Sequence, residues 1–126
     1  MSMTATVDHA RRRVLVRAEG SITADEILAH LDEERGLGVL SYSELIDGRG
    51  SSPDFSAAQV RVIVAALRRL GERSVLGPTA IIVETDVGYG MLRMLEMLVE
   101  DVCAVRPFRR EAEAEKWLGE FSGDAT

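Results

Sequence analysis

Asp47, Arg49, Ser56, Asp86 and Tyr89 are the side chains whose types and spacing best support chemistry in this sequence. The apolar pair Leu45-Ile46 stops at Asp47 and opens into Gly48-Arg49-Gly50-Ser51-Ser52-Pro53-Asp54-Phe55, after which Ser56 starts an amphipathic helix. A strand that delivers an acid and a Gly/Ser loop to a helix N-terminus is where open α/β sheets place ligands. Asp47 has two readings: it orders the loop by accepting backbone N–H bonds, or it binds a ligand. Arg49, framed by two glycines, has no packing duty and suits a partner or an anion.

A second loop, Glu84-Thr85-Asp86-Val87-Gly88-Tyr89-Gly90, falls at the end of the next predicted strand. Gly88-x-Gly90 could cradle an anion at a helix N-terminus, although Asp86, read as the helix cap, would oppose one. Tyr89 would roof a cleft between the two loops, facing Arg49. An enzyme acting through Asp47 and Asp86 would need a deep pocket there and a carboxylate of raised pKa. Ser56 has a structural duty of its own, since Ser56 and Gln59 form a capping box.

No catalytic set is assembled elsewhere. His9 falls in a hairpin turn and His30 on the exposed half of the first predicted helix, so no Ser/His/Asp or Cys/His group forms. No two ligands have a convincing metal spacing, and no cofactor is implied. The single Cys103 excludes an internal disulfide and lies in an apolar run, as a buried inert thiol does.

These loops need a scaffold, and the chain supplies strands and helices in the order ββαβαβαβα. Thr4–Asp8 and Val14–Glu19 form a hairpin. Thr23 with Glu26 caps a helix carrying Ile27, Leu28 and Leu31, which Gly36 and Gly38 end. Tyr42–Ile46 is the third strand. A helix from Ser56 carries Val60, Ile63, Val64, Leu67 and Leu70. Thr79–Val83, apolar on both faces, is read as central. Helices from Asp86 to about Glu100 and from Glu111 to Leu118 flank a last strand, Val102–Val105, that Pro107 stops. The fold class is therefore α/β with a mixed sheet, helices packed on it, in one domain spanning 1–126 with a frayed tail at about 122–126.

The net charge of −6 argues against nucleic acid as a partner. The longest apolar run, Val62–Leu67, is too short to span a bilayer. Without a signal-like N-terminus, the expected location is cytoplasmic. The third helix carries two apolar stripes. Leu92, Leu95 and Val99 cover the sheet, whereas Met91, Met94 and Leu98 exceed what one sheet face buries and predict a homodimer contact.

The order of elements, with Glu44-Leu45-Ile46-Asp47-Gly48-Arg49-Gly50, Tyr89-Gly90-Met91-Leu92-Arg93-Met94 and Trp117-Leu118, resembles the STAS domain of sulfate transporters and anti-sigma-factor antagonists. It is most similar to small stand-alone bacterial STAS-like proteins. The resemblance implies a non-enzymatic regulatory or ligand-binding role, with a regulatory protein as partner. It also implies phosphorylation of Ser56 by a partner kinase, although the chain reads Asp54-Phe55-Ser56-Ala57 where the antagonists have Asp-Ser-Ser/Thr-Gly. A second resemblance, to CRAL-TRIO domains, implies a carrier of a lipid or small apolar ligand.

Overall fold

The alternation in Arg13-Val14-Leu15-Val16-Arg17-Ala18 buries Val14, Val16 and Ala18 on one face of a strand. In the computed structural model, which describes residues 3–122, that strand belongs to the expected hairpin. Strand β1 (Met3–Asp8) runs antiparallel to β2 (Arg13–Ala18), with Met3 opposite Ala18. There follow β3 (Gly20–Thr23), α1 (Ala24–Leu37), β4 (Ser43–Asp47), β5 (Ser51–Asp54) and α2 (Ala57–Gly71). The chain continues through β6 (Thr79–Ile82), α3 (Asp86–Val99), β7 (Val105–Phe108) and α4 (Glu111–Ser122). Of the tail read as frayed, Ser122 ends α4 and 123–126 lie outside the described residues.

The main sheet has the order β1-β2-β4-β6-β7 and is parallel from β2 onward. The middle strand is β4, and β6 beside it is interior as expected, flanked by β4 and β7 and covered on both faces. Helix α4 covers one face, where Leu45, Ala80 and Ile82 meet Ala114, Trp117 and Leu118. Helices α1, α2 and α3 cover the other, with Ile63, Leu67 and Val99 packed among Ile27, Leu31, Ile81 and Leu95. Among the described residues, no helix is long and apolar enough to cross a membrane.

Four expectations are corrected. The stretches read as cap and loop contain two further strands, β3 and β5, which pair in parallel from Gly20 opposite Ser51 to Thr23 opposite Asp54. Each is only four residues long and rich in Ser, Gly or Pro, so neither has a detectable period. Their pairing sets the starts of α1 and α2 side by side. The last strand begins later than Val102, because the N–H groups of Val102 and Cys103 still bond the carbonyl of Val99. It also runs through Pro107, opposite Ile81; β7 is an edge strand, where a missing N–H is tolerated. Thr85, not Asp86, is the N-cap of α3: its backbone is extended and its hydroxyl accepts the Gly88 N–H. Finally, His30 is buried, as described below.

Gly48 fixes the path out of β4. Its N–H donates to the carbonyl of Ile82 at 2.8 Å, and a Cβ there would stand 2.6 Å from that same oxygen. Only glycine allows the approach, and the loop is pinned to the end of β6.

Candidate functional site

The two loops at the carboxyl edge of the sheet do meet, and their charges satisfy one another. Asp47 accepts the Arg49 N–H at 3.1 Å and two guanidinium bonds at 2.9 Å, so it orders the loop. The bonds from Arg49, partly opposed by burial, hold the Asp47 carboxyl below its usual range. Arg49 also donates to Glu111 at 3.0 Å, while Gly50 donates its N–H to Glu84 and so ties the first loop to the second. Tyr89 does not face Arg49. It lies under Arg109, whose guanidinium is 4.8 Å from the ring centroid and also bonds Asp86 and the Glu84 carbonyl. Ser56 stands apart, exposed at the start of α2, where its hydroxyl accepts the Gln59 N–H and the Gln59 side chain accepts its own N–H.

Beneath this edge lies an apolar pocket of about 140 Å³ between the sheet and helices α1, α2 and α3. Its upper end is formed by Gly48, Ser51, Pro53, Thr85 and Gly88, and its walls include Ile22, Ile27, Ile46, Ile81, Leu92 and Leu95. Its lower end is formed by His30, Glu44 and Thr79. Glu44 and Gly48 are four residues apart on one strand face, so the pocket runs for roughly 13 Å along β4. On the same two strands, Leu45 and Ile82 under α4 are buried, whereas Ile46 and Ile81 are only half-buried. The helices on this side leave a narrow channel.

The lower end holds the only buried polar cluster of metal-ligand type among the described residues, His30, Glu34 and Glu44. His30 Nε2 lies 2.5 Å from Glu44 Oε2 and 3.5 Å from Glu34 Oε2, and the three side chains are 7%, 9% and 7% exposed. Thr79 adds a hydroxyl to Glu44 at 3.4 Å. Burial alone would push a proton off His30, yet the bonds to Glu34 and Glu44 and their charges outweigh it and raise the pKa to about 10. Burial raises Glu44 to about 7 against the pull of His30. The raised carboxylate is thus Glu44, inside the pocket, whereas Asp47 at the edge is lowered.

Sequence reasoning placed His30 on the exposed half of α1. In fact Ile27, His30, Leu31 and Glu34 share the inward face, at the i, i+3, i+4, i+7 spacing of a buried stripe. That spacing and the lone charge inside the strand Ser43-Glu44-Leu45-Ile46 were the two available signals. On α3, Met91 and Met94 are half-buried and Leu98 is 41% exposed; Met94 and Leu98 border a groove shared with Ala57, Arg61 and Val64 of α2. Cys103 is half-buried, and burial, with a smaller effect of Asp101, raises its thiol to about 11.

No protein-family model and no curated protein matches the sequence. Among solved structures, an uncharacterised protein of the DUF3478 family from Shewanella loihica PV-4, with a SpoIIAA-like fold, superimposes with a TM-score of 0.59. The two share 14% identity over 93% of this chain and 94% of the other. The chain has a STAS-like fold. A further solved structure, of Mglu, covers 84% of this chain and 19% of its own at 17% identity, and its TM-score of 0.38 is too low to bear on the fold. In the STAS-like frame the edge loops, the β3–β5 ribbon and the start of α3 together form the upper end of the pocket.

Proposed function

We propose that this STAS-like protein is a non-enzymatic binding module that holds a slender, mainly apolar molecule with one hydrogen-bonding end group. The observation that carries this reading is the channel of about 140 Å³ whose walls are apolar and whose lower end is Glu44 and His30. Apolar cavities of about this size stay dry when empty and take up small hydrocarbons, because the lining atoms gain contacts that water does not supply. A hydroxyl or amine on the ligand would reach Glu44, and the chain would lie along Ile46 and Ile81. An enzyme working through Asp47 and Asp86 has no support, since Asp47 is held ionised by Arg49 and Asp86 is an exposed partner of Arg109.

Native mass spectrometry of protein taken from cells is expected to show a small bound molecule. Methyl NMR with 1-hexanol as the probe is expected to show saturable shifts at Ile81, Leu92 and Leu95. Leu95→Phe should fill the channel and remove the shifts at Ile81 and Leu92 while the protein stays folded. A folded wild type with no saturable shift would overturn the reading.

A second reading, self-association through α3, is favoured by the exposure of Met97 and Leu98 beside the α2–α3 groove. Light scattering is expected to show a dimer that Met94→Glu converts to monomer. An unchanged mass would remove this interface.

A further inference from the structure

We infer that His30, Glu34 and Glu44 form a binding site for one divalent first-row transition cation at the lower end of the pocket. One ligand atom from each residue lies within 4.8 Å of the others, so a small inward movement brings all three to the distances of about 2.0–2.2 Å that such cations take. His30 and Glu34 are one turn apart on α1 and Glu44 comes from the middle strand, so all three ligands stand on regular elements.

The donor set selects the class of ion. One imidazole nitrogen with two carboxylate oxygens suits zinc, manganese or iron(II). It lacks the thiolates that copper(I) prefers and the all-oxygen shell of calcium or magnesium. Charge balance points the same way. Among the described residues no Arg or Lys pairs with Glu34 or Glu44, so the sole counter-charge for two enclosed carboxylates is a single imidazole. With both carboxylates ionised, a divalent cation on neutral His30 leaves the cluster neutral, whereas a proton on His30 leaves it one charge negative. Charge buried without compensation is costly.

Room for the remaining coordination positions is the independent observation. Glu44 borders both the channel of about 140 Å³ and a second cavity of about 40 Å³ that Glu34 and Thr79 also line. Water or the polar end of a ligand fits on either side. The inference stands on the cluster and not on occupancy of the channel by an apolar molecule, so either can fail alone.

The test uses the full chain freed of metal by a chelator. Titration calorimetry with Zn²⁺ is expected to give one site per chain, and Co²⁺ to give visible bands of a protein-bound ion. Glu34→Gln and Glu44→Gln should each weaken binding by more than the roughly 10- to 100-fold typical of losing an outer partner. Should those variants fail to fold, the wild type still decides: long-range proton–nitrogen spectra must show Zn²⁺ moving the His30 Nε2 resonance and leaving His9 alone. Absence of saturable binding of Zn²⁺, Co²⁺ and Mn²⁺ to folded wild type overturns the inference. So does saturable binding that leaves His30 unmoved.

Discussion

The edge loops and the floor of the channel use the same kinds of side chain under opposite conditions. At the edge, Asp47, Asp86 and Glu111 face Arg49 and Arg109 while the Glu84 carboxylate accepts the Gly50 N–H, with solvent at hand. On the floor, Glu34 and Glu44 face one imidazole and are enclosed. An ion pair in water is worth little because the solvent screens it and the side chains lose freedom. The same charges in a poorly polarisable interior interact several times more strongly and cannot be left unpaired. Residue type alone therefore draws attention to the edge, while the energetic weight lies on the floor.

The sharpest way to break this contrast is to remove the imidazole. His30→Ala leaves two carboxylates enclosed without a counter-charge. In chelator-treated protein at pH 8 the expected loss is about 3–5 kcal/mol of folding stability by chemical denaturation. Adding Glu44→Gln to that variant should restore part of it. A loss within the error of wild type would mean that the floor is solvated like the edge.

Acidity gives the next largest effect, and its sign follows from the directions of the shifts. Both floor groups are raised. The contribution of Glu44 is full below its ordinary 4.5 and is lost as pH rises through about 7. The contribution of His30 is full below 6.5 and is lost as pH rises through about 10. At the edge Asp47 runs the other way: it is lowered, so its contribution is present above its ordinary 3.8 and lost as pH falls below that. Melting temperature in chelator should therefore peak in mildly acid solution and decline toward pH 10. Glu44→Gln should flatten the first half of that decline. A profile that stays flat between pH 5 and pH 10 and falls only in acid would place the dominant charges at the edge.

How far these regions were legible in the sequence depends on which residues carried a period. The hairpin, the capping boxes at Thr23 and Ser56, and the apolar faces of α2 and α3 follow from spacing, and the structure has them. The ribbon of β3 and β5 was hidden because four-residue strands containing Ser, Gly and Pro carry no alternation. The end of β7 was hidden because Pro107 reads as a stop unless the strand is known to be an edge. The edge site was legible as a location, yet the partners of Arg49 and Tyr89 were not: Glu111 and Arg109 come from beyond β7, and only the parallel register brings them back. His30 and Glu34 were missed because polar residues on an amphipathic helix are assigned to its wet face by default, and here two of them sit in the apolar stripe.

Helix capping at the edge gives a smaller effect. Ser56→Ala removes the acceptor for the Gln59 N–H and should cost about 1 kcal/mol, independent of pH between 5 and 9. Ser56→Asp keeps a cap at the positive end of the helix dipole and should recover most of it. Failure of the aspartate to recover stability would assign the hydroxyl a duty other than capping.

The smallest effect belongs to the pair that closes the edge. Arg109→Ala removes one ion pair to Asp86, one bond to the Glu84 carbonyl and the cover over Tyr89. Asp86 is almost wholly exposed, so its pair contributes at most about 1 kcal/mol and is screened by salt. The guanidinium over Tyr89 adds at most a similar amount. Exposed contacts of these kinds seldom reach those upper bounds, so the expected loss is about 1 kcal/mol or less in dilute buffer, and most of it should vanish in molar salt. The salt dependence is the informative part, because a buried charge cluster is screened far less than exposed pairs. If Arg109→Ala proved as costly as His30→Ala, and equally so in molar salt, the edge would be the dry region and the contrast would invert.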